Sequence, residues 1–402
     1  MRAWKFLTVF CLACLLSAWV LSCDKGDNEE DNQGSAYYDP ADDDEEEDDK
    51  GNSSGEFDCE NSDNPYCIFV EKDFARKWIC ELDIPTDEKE TASCSCINDY
   101  MNLIQIASDL GHTNPISEEE LFAKAMNIEN DEIEVITDLS AMHEEELSSK
   151  IKNILNNNFL THNINDSYLI VTTISQVEKD EYFEEKLLFQ DPFVGEFMAL
   201  LLKPKSGNAH PGIVALHGHC DSVETYRDIY HGKDYPSHGY TILMLSQRAM
   251  CNDINENIIS KEFLLNGLTF YGIRNYEALL CRRYLEYLLI QSGVPEESIL
   301  DRIGVIGHSS GSAHSNLFRG GEFKAQVSDE SSTFGTFSSY GHEVFFKDDF
   351  IPDLYQYSCL IRNLPRLKTN YKEVPYGYED PDTGESLMPE IFQFFEEHLK
   401  GE

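Results

Sequence analysis

The spacing of apolar residues changes at about residue 166. Before it, apolar residues recur every three or four positions in three segments and predict amphipathic helices over 69–82, 118–126 and 144–155. After it, short β-branched and aromatic runs predict strands over 167–174, 182–189, 197–202, 212–216, 241–245, 302–306 and 323–327. Helical patterns, a long one over 262–291 and one starting near Ser310, separate the later strands. This alternation favours an α/β fold with a mostly parallel sheet covered by helices on both faces.

The chain starts with a targeting pattern. Residues 6–21 form an apolar run behind a short basic start, which is typical of a secretory signal over 1–22 and short for a membrane span. The run ends in Val-Leu-Ser-Cys23, which resembles the lipobox of bacterial lipoproteins. The resemblance implies lipidation of Cys23 and an exported lipoprotein, anchored in a membrane of the bacterial cell envelope through its N-terminal lipid alone. An ordinary signal peptide with an incidental cysteine is the alternative.

Acidic residues dominate the next segment. Residues 24–57 contain 15 Asp or Glu, so we expect 23–57 to be an extended, self-repelling tether that cannot fold alone. The whole chain of 402 residues carries a formal charge of −43, which argues against a nucleic-acid partner because phosphate binding needs clustered cations. No spaced calcium-loop motif accompanies the acidic block.

Five cysteines cluster in the predicted helical module over 58–165. An exported chain meets an oxidising compartment, so two disulfides are expected among Cys59, Cys67, Cys80, Cys94 and Cys96, with the connectivity open. The cluster lacks a C-x-x-C pair and a nearby histidine, so no metal site is predicted. The purpose of this small cysteine-containing module is open.

The strongest chemical signal is Gly307-His308-Ser309-Ser310-Gly311. An apolar run precedes it and a helical pattern follows it, which is the strand, turn and helix order of a nucleophile elbow. Small residues suit so tight a turn. Ser309 is therefore the candidate nucleophile, at the positive end of the following helix.

A second signal follows the strand over 212–216, where the sequence continues His217-Gly218-His219. Acyl transfer needs two backbone N–H groups directed at the oxyanion, one from such a loop and one from the residue after the nucleophile. We expect the donors to be the N–H groups of His219 and Ser310.

Together these segments resemble the α/β-hydrolase family, in particular its branch of acetyl-xylan-esterase and dienelactone-hydrolase-like proteins. The resemblance covers about residues 195–327 and includes the segment Ser237–Leu243, the helix around Arg282 and the Asp301–Val305 approach to the elbow. It implies an α/β-hydrolase domain over 166–402 that hydrolyses esters with a Ser, acid and His triad in that chain order, without metal or organic cofactor.

The sequence departs from that pattern in two places. Gln247 to Cys251 replaces an Arg-Gly-rich loop, and a disulfide between Cys220 and Cys251 is expected to brace the rim of the site. The segment after Asp329 reads poorly as the two strands that the family places there. One strand candidate, over 371–376, is followed by Tyr378 where a Gly-His pair is expected, so the fold is expected to be truncated at its C-terminal strands before a terminal helix over 389–399.

The acid and base candidates follow from these departures. Asp329 is the first candidate for the acid and Asp380 the alternative. Packing explains His314 and His398, which leaves His342 as the candidate base.

Two functions compete. One is an exported serine esterase acting on a small ester or an acetylated saccharide. The other is a catalytically inactive scaffold that binds a ligand or partner. In a third, weaker interpretation, the helical module of an adhesive lipoprotein is the working part. The sequence leaves the oligomeric state open.

Overall fold

The computed structural model describes residues 69–70, 77–78, 103–109, 111–129, 132–155, 169–205, 207, 209–219, 221–247, 260–319, 321–329, 337–340, 343–346, 351–381 and 383–400. All of these residues belong to one compact unit, Ser62–Glu402, and Met1–Asn61 lies outside the described residues. The signal segment, Cys23, the acidic tether and the five clustered cysteines also lie outside them and stay predictions.

The central element is a mixed sheet of eight strands. In chain order they are β1 (Ile170–Glu178), β2 (Tyr182–Asp191), β3 (Gly195–Pro204), β4 (Gly212–Leu216), β5 (Thr241–Leu245), β6 (Ile303–Gly307), β7 (Ala325–Asp329) and β8 (Tyr371–Val374). Their spatial order is β8-β7-β6-β4-β5-β3-β2-β1. β4 to β8 run parallel to their neighbours in this group, and β1 to β3 form an antiparallel meander that joins the sheet at β5.

Helices cover both faces of this sheet. The described helices are α1 (Glu118–Glu129), α2 (Glu144–Ile154), α3 (Val223–Asp228), α4 (Phe270–Gln291), α5 (Ser310–Ser315), α6 (Pro352–Tyr355), α7 (Ser358–Asn363) and α8 (Met388–Leu399), and residues 103–109 and 260–265 are helical as well. Alternate residues of β4 point to opposite faces: Val214 packs in the core under α4, and Ile213 in the core under α8. The α/β class expected from the sequence is confirmed.

In the described residues, the part of the main sheet that follows Asp329 is short. Among the described residues β8 is the one strand of the main sheet that follows Asp329. Two further strands, Phe337–Tyr340 and Glu343–Phe346, pair only with each other in a separate antiparallel sheet. The interpretation of 371–376 as the last strand of a truncated sheet is therefore the one that the topology supports.

Two predicted helices need correction. The helix over 262–291 is interrupted: a helical segment at 260–265 ends before Gly267, whose φ is +74°, and α4 starts anew behind Thr269. Thr269 caps α4 by accepting a hydrogen bond from the Gly272 N–H at 3.0 Å. The helix over 69–82 is wrong at its described residues, where Phe69–Val70 pairs antiparallel with Lys77–Trp78, because β-branched and aromatic residues favour extended backbone.

The described part of the predicted helical module shares its cores with the sheet domain. Leu103 packs in the core under α4, Leu121 of α1 packs with Leu264, and Leu147 of α2 packs with Tyr271. No boundary at residue 165 separates two independent cores in these described segments. None of the described helices is both long and apolar enough to cross a membrane.

Candidate active site

Ser309 occupies a sharp turn between β6 and α5. Its φ of 51° and ψ of −118° lie in a region that residues with a side chain rarely adopt. The flanking glycines are required by close backbone approach: a Cβ on Gly307 would lie 2.2 Å from the Gly311 carbonyl oxygen, and one on Gly311 would lie 2.1 Å from the Leu216 carbonyl oxygen. Backbone strain of this kind costs about 1–3 kcal/mol, so neighbouring groups must hold the turn.

The carboxylate of Asp329 holds it. Asp329 ends β7, is fully buried, and accepts hydrogen bonds from the Ser309 N–H at 2.7 Å and from the Ser312 hydroxyl at 2.5 Å. The Gly377 N–H, in the segment after β8, donates to the same carboxylate at 3.3 Å. Its Oδ2 contacts Nδ1 of His308 in a short hydrogen bond. Asp329 therefore joins the ends of β6, β7 and β8 at one point beside Ser309.

His308, which precedes the nucleophile, is fully buried between Asp329 and two aromatic rings. Its ring centroid lies 3.8 Å from that of Tyr230 and 4.8 Å from that of Tyr376. Its Nε2 has no hydrogen-bond partner in the described part of the chain, and the nearest carboxylate oxygen recorded for it, Asp221 Oδ2, is 3.7 Å away. Chain order did not point to His308, because the expected triad order of Ser, acid and His places the histidine after the nucleophile.

Gly218 lies where three functional groups meet. A Cβ on Gly218 would lie 2.7 Å from Asp221 Oδ2, 3.0 Å from Ser309 Cβ and 3.1 Å from His308 Cδ2. The loop after β4 is therefore packed directly against the nucleophile, as an oxyanion loop must be. Burial raises the pKa of the Asp221 carboxyl, and the nearby His308 opposes that rise.

His217 fixes the start of this loop. Its Nε2 accepts the Gln247 N–H at 3.0 Å, and its Nδ1 therefore carries the proton and donates to the Gly218 carbonyl oxygen at 2.9 Å. Burial lowers the pKa of His217 to about 4, which keeps the imidazole neutral. The ring thus ties the loop after β4 to the end of β5.

Of the two predicted oxyanion donors, Ser310 directly follows Ser309 in the chain, and His219 lies in the loop after β4. Ser310 begins α5, and no backbone acceptor within the described residues is bonded to its N–H. His219 follows Gly218 in the loop packed against Ser309. Their assignment as oxyanion donors stays a prediction.

Two tyrosines occupy the place after the last strand. The Tyr378 hydroxyl donates to the Gly307 carbonyl oxygen at 3.0 Å and lies 3.0 Å from the Tyr226 hydroxyl. Burial raises the pKa of Tyr376, whereas a hydrogen-bonding interaction with the Ser309 side chain opposes that rise. Tyr376 remains 57% exposed and offers an aromatic surface beside the nucleophile.

The other predicted site residues lie elsewhere. The Asp380 carboxylate accepts the Thr383 N–H at 2.9 Å and caps a turn. His314 stacks on Tyr271 with ring centroids 3.6 Å apart, and His398 Nδ1 lies 2.8 Å from the carbonyl oxygen of its own helix at Phe394. His342 lies outside the described residues.

Cys220 and Cys251 also lie outside the described residues, so the disulfide expected between them stays a prediction. Cys359 is disulfide-bonded, and Cys281 is a free, buried thiol whose pKa burial raises. Within the described ranges, no cluster of three or more His, Cys, Asp and Glu side chains is arranged to hold a metal ion.

The chain is similar to solved structures of esterases at low sequence identity. A candidate acetyl xylan esterase from Bacteroides fragilis aligns with 67% of this chain and 85% of its own, at 16% identity and a TM-score of 0.44. A methylesterase aligns over 63% of each chain at 15% identity and a TM-score of 0.42. An acetyl xylan esterase from Thermoanaerobacterium sp. aligns with 44% of this chain and 59% of its own, at 18% identity and a TM-score of 0.33. The chain therefore spans less than two thirds of the latter two structures. No family model and no curated protein matches the sequence.

Proposed function

We propose that this protein hydrolyses carboxylic esters with Ser309 as the nucleophile. The observation that carries the proposal is the strained conformation of Ser309, with φ 51° and ψ −118°, held by a buried carboxylate. Strained backbone conformations that the surrounding structure holds in place cluster at functional sites. The turn lies at the carboxyl ends of the parallel strands, between β4 and β6. This is a topological switch point, where successive strands are added to opposite sides of β4, and ligands of open α/β sheets bind at such points.

The reaction follows from the groups around Ser309. Its oxygen attacks the ester carbonyl carbon and loses its proton to a nearby acceptor, while the N–H groups of Ser310 and His219 stabilise the oxyanion. The tetrahedral intermediate expels the alcohol, which takes up that proton and leaves an acyl-serine. Water then attacks the acyl-serine, and the carboxylic acid departs as the serine proton is restored.

We propose a small acyl ester, such as an acetylated saccharide, as the substrate class. The close approach of Gly218 to Ser309 leaves little room on that side, which favours a small acyl group. The exposed ring of Tyr376, which interacts with the Ser309 side chain, offers an apolar face of the kind on which a sugar ring packs. Both features lie within the same strand-end cluster as Ser309.

Labelling with a fluorophosphonate probe tests the proposed nucleophile. We expect covalent labelling of the wild type, loss of labelling and of ester turnover in Ser309→Ala, and retention of both in Ser298→Ala. Ser298 is a suitable control because its hydroxyl bonds only the local Pro295 carbonyl in an exposed turn. Equal labelling of wild type and Ser309→Ala would contradict the proposal.

A second candidate is a catalytically inactive binding protein on the same scaffold. The observation that favours it is the early end of the sheet, since no strand after β8 delivers a histidine to Ser309 in the described residues. A folded wild-type protein that neither reacts with fluorophosphonate nor turns over an acetyl ester would support this candidate.

We also propose lipidation at Cys23, with export to the bacterial cell envelope. The lipobox-like Val20-Leu21-Ser22-Cys23 supports it. Expression in a bacterium fed an alkyne fatty acid should label the wild type and a Cys14→Ser control, but not Cys23→Ser. Labelling of Cys23→Ser at the wild-type level would exclude this site.

A further inference from the structure

We infer that His308, inside the nucleophile elbow, is the proton acceptor for Ser309 and replaces the histidine that related hydrolases carry after a final strand. This inference rests on the proposed function and names a catalytic residue for it. It makes the residue immediately before the nucleophile the base, with Asp329 as its orienting carboxylate.

The hydrogen bonds of His308 set the required tautomer. Asp329 is an acceptor toward every group that it contacts, so the Nδ1 of His308 carries the proton that bridges them. The lone pair is then on Nε2. That atom is buried and has no hydrogen-bond partner in the described residues, as expected for an acceptor kept ready for a proton. The large majority of buried side-chain polar atoms have a hydrogen-bond partner, so an unbonded Nε2 calls for an explanation of this kind.

The distance between base and nucleophile is bounded by Gly218. His308 Cδ2 and Ser309 Cβ lie 3.1 Å and 3.0 Å from the same point, the Cβ position of Gly218, so they are at most about 6 Å apart. Nε2 is bonded to Cδ2, and the serine oxygen is bonded to Cβ. Both reacting atoms therefore lie one bond from atoms that border the same point, and rotation about the Ser309 Cα–Cβ bond sets the distance between them.

The strained turn explains how adjacent residues can cooperate. Successive side chains of an extended strand point to opposite faces, which separates residues 308 and 309 in a regular strand. The positive φ of Ser309 ends that alternation. Both side chains then reach the loop after β4 on the same side of the sheet edge, as their shared contact with Gly218 demonstrates.

His308 and Ser309 together account for every proton transfer of the reaction. Nε2 takes the proton of the Ser309 hydroxyl as the bond to the acyl carbon forms, and the imidazolium then protonates the departing alkoxide. In the second half it takes a proton from the attacking water and returns it to the serine oxygen.

The titratable groups that face His308 are Asp221, Asp329, His217, Tyr230, Tyr376 and Tyr378. The two carboxylates stabilise the transient imidazolium.

The decisive experiment compares labelling rates across pH in histidine variants. We expect His308→Gln to lower the second-order rate of fluorophosphonate labelling at least about 10³-fold and to remove the rise of the rate with pH. His342→Gln should stay within about twofold of the wild type, as should His314→Gln, a control at another buried histidine. Loss of labelling in His342→Gln with retention in His308→Gln overturns the inference while leaving Ser309 as nucleophile. Labelling that persists in Ser309→Ala contradicts the proposed function itself.

A second measurement keeps the inference testable if His308→Gln does not fold. In Ser309→Cys, with every histidine retained, a neighbouring imidazole favours the thiolate, and a free thiol has an ordinary pKa of about 8.5. We expect the alkylation of Cys at position 309, followed by peptide mapping, to show a midpoint at least about one pH unit lower. The midpoint should not move when His342→Gln is added. An ordinary midpoint, or one restored by His342→Gln, overturns the assignment.

Discussion

Two buried histidines stand at neighbouring strand ends and have opposite environments. His217, after β4, is 2% exposed, and both its ring nitrogens bond neutral backbone groups. His308, after β6, is fully buried, with a carboxylate at one nitrogen and no hydrogen-bond partner in the described residues at the other. The two histidines are alike in burial and in position at a strand end, so they differ in the hydrogen-bond partners of their ring nitrogens.

The difference separates a structural role from a chemical one. His217 Nδ1 already carries a proton and Nε2 accepts a backbone N–H, so the ring has no position for a second proton, which agrees with the lowering of its pKa to about 4 by burial. A carboxylate at one nitrogen of His308 stabilises the charged ring and directs its lone pair to the other nitrogen. Substitutions around His308, after β6, should therefore change activity, whereas substitution of His217, after β4, should change stability.

The largest effect is expected from Asp329→Asn. An amide no longer holds the Nδ1–H tautomer of His308 and no longer stabilises its charged form, so kcat should fall by about 10⁴-fold. Steady-state hydrolysis of an acetyl ester measures it. The matched variant Asp380→Asn, at a carboxylate that caps a turn, should keep the wild-type kcat. The reverse ranking would identify Asp380 as the acid.

Gly218→Ala should have the next largest effect. The new methyl group would lie 2.7 Å from Asp221 Oδ2 and 3.0 Å from Ser309 Cβ, so it must displace the oxyanion loop, and kcat should fall by about 10²–10³-fold. Gly304→Ala is the control, because its methyl group would be crowded to a similar degree by Phe395 and Leu399, under α8. It should lower the free energy of unfolding without a comparable loss of kcat. Equal kcat values for both variants would show that the loop after β4 does not act on the reaction.

His217→Gln should change the pH dependence of stability. The folded-state pKa of about 4 is below the ordinary 6.5, so the unfolded chain binds more protons between these values. The stabilising contribution of the neutral ring is complete above about pH 6.5 and is lost as the pH falls toward 4, by about 3 kcal/mol. Urea unfolding of wild type and variant at pH 4 and pH 7 measures this difference. Parallel pH profiles would show that folding does not lower the pKa of His217.

The smallest effect is expected from Tyr378→Phe. The variant loses the hydroxyl that donates to the Gly307 carbonyl oxygen and meets the Tyr226 hydroxyl, both buried. The free energy of unfolding should fall by about 1 kcal/mol. Since Gly307 precedes the elbow, a loss of kcat beyond about tenfold would instead assign Tyr378 to the positioning of His308.

Local sequence patterns predicted much of the sheet. The strands over 212–216, 241–245 and 302–306 recur in the structure within one residue, because short apolar runs between turn signals identify buried parallel strands. The break at Gly267 escaped the pattern, since apolar spacing continues across it and only the cap at Thr269 marks the new helix. The pairing of Phe69–Val70 with Lys77–Trp78 escaped as well, because each paired segment is only two residues long.

The sequence by itself determined the elbow. Ser309 follows an apolar strand and lies between Gly307 and Gly311, and only residues without a Cβ fit the close backbone contacts at these two positions. It also placed Asp329 at the end of its strand. The tertiary structure alone decided what surrounds the serine. Asp329 meets His308 only when β6 and β7 pair, and side chains of adjacent residues converge only after the turn at Ser309 ends the strand alternation. The spacing of residues along the chain predicts neither the contact between Asp329 and His308 nor the convergence of the side chains of residues 308 and 309, because both depend on where distant strands end.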